Sequence, residues 1–385
     1  MKKIIPYGTQ TILSDDVEAV VNVLKSDFLT QGPAVPKFEE ALSNIAGVDY
    51  VTAVNSATSA LHIACLALGV KKGDYVWTVP NTFVASANCA LYCGAKVDFV
   101  DIDQNTANLS VELLKQKLNL AKQSGNLPKV VIPVHLTGEP CDMAEIKKLS
   151  DEYDFKIIED ASHAIGGRYK GSPVGLCEYS DVTVFSFHPV KIITSGEGGA
   201  VLTKCPKIDQ KLKLLRSHGI TRDRNLMHNP VDAEWYYEQI ELGFNYRMTD
   251  IHAALGLSQL SRLHDYVEKR QEIAAIYDHE FKNSRIQVPF RNTSNRSALH
   301  LYVIQVESDK HNRIFHALRE KNIGVNLHYI PVHTQPYYQK LGFNWGDFPN
   351  AETYYKRAIS LPIFPSFTTD EQKYVINVVK ALCDA

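Results

Sequence analysis

The sequence predicts an α/β protein: a large lobe built on a mostly parallel, mixed sheet, followed by a smaller C-terminal α/β lobe. Three observations carry this expectation. The chain has 385 residues, more than one hydrophobic core usually organises. Between Tyr50 and Ile158 short apolar runs alternate with helical patterns, the sequence form of right-handed βαβ crossovers. Apolar residues make up 45% and charged residues 22% of the chain, the composition of an ordinary folded globule.

Taken in chain order, DDVEAVVNVLK (15–25) has helical periodicity, with Asp15 and Glu18 spaced as in a capping box. LTQGPAVP reads as a Gly/Pro loop, and KFEEALSNIAG as the next helix. The alternation follows: strand 50–54 and helix 58–68, strand 75–79 and helix 83–92, strand 96–100 and helix 111–122, strand 129–134 and helix 143–153, then strand 155–158. Residues 182–187 and 199–203 follow with no useful helix between them, so part of the sheet is expected to be antiparallel. Residues 249–281 contain no Pro and one Gly, Gly256, and are expected to carry helix from one lobe into the other. The second lobe reads as strand 300–306, helix 312–321, strand 324–327 and helix 369–382. The lobes are expected to span residues 1–250 and 251–385.

Composition excludes several function classes. Lys plus Arg total 41 against 43 Asp plus Glu, a net charge of −2, which offers no polybasic surface for nucleic acid. Apolar runs such as Val130 to Val134 fall far short of the roughly 18 residues a membrane helix needs, and Pro6 and Gly8 interrupt the N-terminus before a secretory signal develops. Seven cysteines, odd in number and never spaced as CxxC, suit neither a disulfide framework nor a zinc site. No metal is expected, and a reducing cytoplasm is the expected location.

In a parallel sheet, ligands gather beyond the carboxyl ends of the strands, and polar residues there mark four segments. In VNSATSALH, Ser56, Thr58 and Ser59 open a helix, where they either cap it or help its free N–H groups cradle a phosphate. In KIIEDASHA, Asp160 ends a strand, as a helix cap or as a functional acid, with His163 three residues on. In VFSFHPVKIITSGEGGA a strand delivers Ser186, His188 and Lys191 into a glycine-rich loop. A desolvated lysine has a lowered pKa and can form a Schiff base, whereas an exposed one is a surface charge. In GFNYRMTDIHAALG, Asn245 and Arg247 precede a helix in a turn with no evident structural need for Asn.

In this order the segments resemble the fold type I (aspartate aminotransferase-like) pyridoxal-phosphate enzymes, and within them the sugar aminotransferases of the DegT/DnrJ/EryC1/StrS family. The resemblance spans nearly the whole chain: LTQGP around Gln31, NSATSALH, NTFVASAN, PVHLTG, EDASHA, FSFHPVK, GEGGAV, RSHGI, GFNYRM and HYIPVH. It implies pyridoxal 5'-phosphate (PLP) as cofactor, Lys191 as the Schiff-base lysine and Asp160 as partner of the ring nitrogen, keeping that nitrogen protonated. It further implies that Thr58, Ser59 and Ser186 hold the phosphate and that His163 contacts the ring hydroxyl. Phe83 would stack on the ring, the alternative being a core residue of its helix. Asn245 would reach the phosphate from a neighbouring subunit, making a homodimer with shared active sites.

ASHA, FSFHPVK, NSATSAL and LTQGP are most similar to the subgroup that makes UDP-4-amino-4,6-dideoxy-N-acetyl-β-L-altrosamine, an intermediate of pseudaminic acid synthesis. The chain departs from that pattern at Ile192, Ser195 and Gly196, where ITSGEGG replaces an expected PITTAEGG. By the same resemblance Gln31, His328, Tyr329 and His333 contact the nucleotide sugar, with Tyr329 alternatively packing the lobe. The implied reaction moves nitrogen from an amino acid, glutamate by expectation, to C4 of a UDP-linked N-acetyl 4-keto-6-deoxyhexose. Another nucleotide 3- or 4-ketosugar, or a non-catalytic binding protein on the same fold, stays open at this level; Lys191 argues against the latter and against sugar dehydration.

Overall fold

The structure, a computed structural model, describes residues 4–230 and 233–384. Its centre is a seven-stranded sheet in the order Tyr50–Val54, Gly199–Thr203, Val182–Ser186, Lys156–Asp160, Val130–Ile132, Tyr75–Thr78, Lys96–Phe99. Neighbours from Val182–Ser186 to Lys96–Phe99 are parallel, and Gly199–Thr203 runs antiparallel to both strands beside it. The mixed sheet thus follows the expectation. Its inner strands are largely apolar because helices cover both faces, and Val130, Val131 and Ile132 are fully buried.

The register sets where the chemistry falls. Asp160 pairs with Val184 across the parallel ladder, so Asp160 and Ser186 end on the same carboxyl edge. Gly199 lies between Val54 and Ser186, and a Cβ there would sit 2.6 Å from the Ala57 backbone nitrogen. A glycine at 199 therefore lets the helix Ala57–Ala67 begin hard against the sheet.

Several elements depart from the sequence expectation, each for an identifiable reason. The second helix is Ala34–Ala46 and starts before Lys37, because Pro36 sits in its first turn, where no donor is required. In the first helix, Ser14–Leu24, the capping acid is Asp16, whose Oδ2 accepts from Leu13 N at 2.9 Å, in place of Glu18. The 249–281 stretch divides into Asp250–Leu260 and Leu263–Phe281. At the break the Arg262 guanidinium pairs with Asp16, a tertiary bond that no local signal announces. Gly256 lies inside the first of these helices, where a Cβ would meet the Phe38 ring at 2.8 Å, so it serves close helix packing. Helix Pro206–Arg216 was not anticipated. In the C-terminal part, residues 324–327 form no strand; Tyr302–Gln305 pairs antiparallel with Ala358–Leu361, and Asn326 makes a single bridge to Ser360.

Many apolar residues of the C-terminal part form a separate cluster, running from Ile273 to Cys383 and joined by Ile5 from the N-terminus, while others such as Leu301, Val303 and Val332 pack into the core of the main sheet. All seven cysteines are free. Among the described residues no helix is long and apolar enough to cross a membrane.

Candidate active site

A cavity of about 550 Å³ opens at the carboxyl edge of the sheet. Its walls are the start of helix Ala57–Ala67, the ends of strands Lys156–Asp160 and Val182–Ser186, the Lys191 loop and the segment from Asn326 to Tyr329.

Ser56 caps the helix: its Oγ accepts from Ser59 N at 3.1 Å and lies 3.0 Å from Ser59 Oγ. Ala57 and Thr58 line the cavity at the helix start, where backbone N–H groups have no preceding turn to bond. With the hydroxyls of Thr58 and Ser186, this is a cradle for an anion, reinforced by the helix dipole. Ser59 does not line the cavity and its polar groups are engaged with Ser56, whereas Ser56 and Ala57 line it.

Asp160 is buried, and both carboxylate oxygens are held: Oδ2 accepts from Ser86 Oγ at 2.6 Å and Oδ1 from Ser162 N at 3.1 Å. Ser86 Oγ also lies 2.9 Å from Thr82 Oγ1. The carboxylate is thus fixed in one rotamer and faces the cavity, beyond any role in capping.

Lys191 follows the strand that ends at Ser186, in a turn closed by Lys191 N donating to His188 O at 2.9 Å. Among the described residues its ammonium has no hydrogen-bond or salt-bridge partner. Burial lowers its pKa from 10.5 to about 8, opposed by the charge of Asp160. Between about pH 8 and 10.5 the unfolded chain therefore holds more protons at this position than the folded one, and the group's contribution to stability rises with pH through that window. Lys191→Met should accordingly be more stable than the wild type at pH 7, with the difference shrinking above pH 8. Urea unfolding of the cofactor-free proteins from pH 7 to 10 measures it, and a pH-independent difference would contradict the burial of this charge.

The opposite wall carries His163, His300, His328 and Tyr329. His163 Nδ1 accepts from Thr137 N at 3.2 Å, and Nε2 lies 3.1 Å from the Tyr329 hydroxyl. Burial and the Lys191 charge hold His163 well below the usual histidine pKa, and the same causes lower His328 to about 3, so both are neutral. Phe83 is 56% exposed at the cavity mouth, ahead of helix Ala85–Tyr92 and 6.2 Å from the Tyr329 ring, so it is not a core residue of that helix.

Three expected residues lie elsewhere. Gln31 is exposed, with φ 57°, in a loop tied down by the Asp250 carboxylate, which accepts from Gly32 N and Ala34 N. Asn245 is exposed and outside this cavity. His333 is fully buried, its Nε2 3.0 Å from Glu352 Oε1 and its ring 4.8 Å from that of Phe348. The expectation that His333 contacts substrate is corrected: it is a packing residue. The sequence reading missed Ser86 and Thr82, although their i, i+4 spacing at a helix start places both hydroxyls on one side. It also missed Tyr7 and His300 on the cavity wall, which no motif marks, and Glu197, which lies within GEGGAV.

Residues 10–380 match the model of the DegT/DnrJ/EryC1/StrS aminotransferase family. The UDP-4-amino-4,6-dideoxy-N-acetyl-beta-L-altrosamine transaminase of Campylobacter jejuni serotype O:23/36 is 40% identical over 386 residues, covering 99% of this chain and 98% of that protein. Helicobacter pylori PseC, an aminotransferase of pseudoaminic acid biosynthesis, superposes with a TM-score of 0.90 at 30% identity, covering 99% of this chain and all of that one. Spr1654 of Streptococcus pneumoniae in its PMP form gives 0.91 at 30% identity over 99% of each chain, and it has also been solved in a PLP form.

The cavity has the donor set PLP requires: an anion cradle at a helix start, a fixed carboxylate, and an unpaired lysine with a lowered pKa. The chain belongs to the DegT/DnrJ/EryC1/StrS aminotransferase family and is a PLP-dependent sugar aminotransferase.

Proposed function

We propose that the protein transfers an amino group from glutamate to C4 of a UDP-linked N-acetyl 4-keto-6-deoxyhexose. The observation that carries the catalytic part of this reading is Lys191, unpaired in the same cavity as Asp160 and the helix start, with a pKa near 8. The substrate part is supported by the 40% identical transaminase and by the likeness to PseC.

PLP, when bound, supplies the electron sink that makes the C–H bond beside the transferred nitrogen acidic. Lys191 takes and returns the proton of that bond: with a pKa near 8, a useful fraction of its amine is neutral at working pH. Asp160 would keep a proton at the ring nitrogen, with Ser86 and Ser162 N holding the carboxylate oriented. The N–H groups at the helix start and the hydroxyls of Thr58 and Ser186 would hold the phosphate. His328 and Tyr329, on the wall formed by the C-terminal part, would face the sugar, and Phe83 would lie against the ring. Residues 1–250 form the cofactor-binding lobe and 251–385 the smaller lobe in this account. Seven free cysteines suit a cytoplasmic location.

The active enzyme is proposed to be a homodimer in which Asn245 and Gln31, exposed and outside the cavity of their own chain, serve the partner's site. Lys191→Ala and Asn245→Ala subunits, each impaired alone, should form heterodimers with one site holding both wild-type residues, so activity reappears on mixing. Activity that stays at the parental level after subunit exchange would count against shared sites.

The function is tested by spectroscopy. The purified holoenzyme should absorb near about 410–430 nm and lose that band on addition of glutamate. A band that persists under excess glutamate would exclude glutamate as donor.

A further inference from the structure

A second cavity, of about 360 Å³, shares no residue with the active-site cavity. The loop from Asp103 to Ser110, the segment from Glu139 to Asp142 and residues between Phe290 and Asn295 form its walls. Asn108 on that wall holds both ends of one turn: its Oδ1 accepts from Leu136 N at 2.9 Å and its Nδ2 donates to Glu139 O at 2.8 Å. Between them Thr137 N donates to His163 at 3.2 Å, so the turn separates this cavity from the active site.

Glu139 lines the cavity and is only 3% exposed. Its Oε1 accepts from Asn295 Nδ2 at 3.1 Å and from Asn292 N at 3.4 Å, whereas Oε2 is buried with no partner among the described residues. A buried carboxylate oxygen left without a donor is costly. Protonation does not fill the gap, because an Oε2–H donor would be left without an acceptor. Arg291, whose charge acts on Glu139, is engaged by Asp278 and forms no ion pair with Glu139 among the described residues.

The surroundings specify the sign of the missing group. Asp103, Glu112 and Asp142 also line the cavity, and no Lys, Arg or His does. Lys170 approaches from outside, its Nζ 3.8 Å from Asp142 Oδ1. The start of helix Val111–Ser124 would by itself favour an anion, but Ser110 Oγ caps it by accepting from Leu113 N at 3.3 Å, and Glu112 stands in its first turn. Leu109, Val111, Pro140 and Phe290 add apolar surface, and the volume lies in the range of small-molecule sites. We propose that this cavity binds a small organic cation, an alkylguanidinium or alkylammonium, whose N–H donates to Glu139 Oε2 and whose chain lies on the apolar wall. The site is distinct from the cofactor cavity and does not depend on which ketosugar is aminated.

The test is a ligand-observed NMR titration of the PLP-loaded enzyme with butylguanidinium chloride, a probe without the primary amine that would react with PLP, at constant ionic strength. Saturable binding with a dissociation constant of about 1 mM or tighter is expected. Butan-1-ol and butyrate, neutral and anionic, should bind at least about tenfold more weakly. Glu139→Gln keeps the Oε1 acceptor and the volume but turns an amide N–H₂ toward the probe's own donor, so affinity should fall at least about tenfold. Val111→Lys leaves Glu139 in place and brings a tethered ammonium to the cavity wall; it should weaken the probe to a similar degree and decides the matter if Glu139→Gln fails to fold by circular dichroism. No saturable binding to the wild type, unchanged affinity in either folded variant, or butyrate binding more tightly than butylguanidinium would overturn the proposal.

Discussion

Replacing Lys191 with alanine is expected to abolish turnover and leave the fold intact. The side chain forms no hydrogen bond or ion pair among the described residues, and its charge is buried at a cost. Removing it therefore costs the protein little or nothing in stability, so loss of activity cannot be ascribed to unfolding. General-base catalysis alone is worth about 10²–10⁴-fold, and the covalent hold on the cofactor adds to that. Steady-state rates with glutamate and a ketosugar measure the loss. Retention of more than about a tenth of the wild-type rate would remove Lys191 from the mechanism. Lys191→Arg, which keeps the charge but is not deprotonated at working pH, should be equally inactive.

Asp160→Asn is expected to bind cofactor and to transaminate slower by about 10²-fold or more, because a neutral amide does not hold a proton on the ring nitrogen as a carboxylate does. The surroundings accept the change on one side only. Ser86 Oγ can still donate to the amide oxygen, but an NH₂ group turned toward Ser162 N would place two donors face to face. The amide is therefore forced to accept from Ser162 or from Ser86, but not from both. Pre-steady-state mixing with glutamate separates binding from chemistry. Unchanged cofactor affinity with a slowed band decay is the expected result, and near-normal decay would reduce Asp160 to a structural residue.

The site was legible in the sequence where strand ends meet loops. Asp160, Ser186 and Lys191 all lie within a few residues of an apolar strand, and the α/β alternation alone directs attention there. Gly199 shows what a single chain cannot announce: its need for no side chain comes from Ala57, over a hundred residues earlier. The same holds for His333, which looks like a site residue in HYIPVH until Glu352 and Phe348 are folded onto it. The break at Ser261–Arg262 depends on Asp16, and the small antiparallel ladder depends on Ala358–Leu361, whose partner Tyr302–Gln305 is far away in the chain. Tertiary partners decide these features, and periodicity does not contain them.

The departure at Ser195 and Gly196 has a local rationale. Gly196 has φ +81°, a conformation in which the alanine of the related pattern is strained, while Ser195 Oγ donates to Glu197 O at 2.8 Å and closes the turn beside the cavity.

The central claim concerns which ketosugar takes the amino group, and single turnovers starting from the pyridoxamine form test it most directly. A panel of UDP- and dTDP-linked 3- and 4-ketosugars, each mixed with that form, is followed by return of the visible band. The account predicts that the UDP-linked N-acetyl 4-keto-6-deoxyhexose restores the band fastest, with an amine at C4 of the product. A dTDP-sugar that restores it about tenfold faster, a difference of about 1.4 kcal/mol in the barrier, would contradict it.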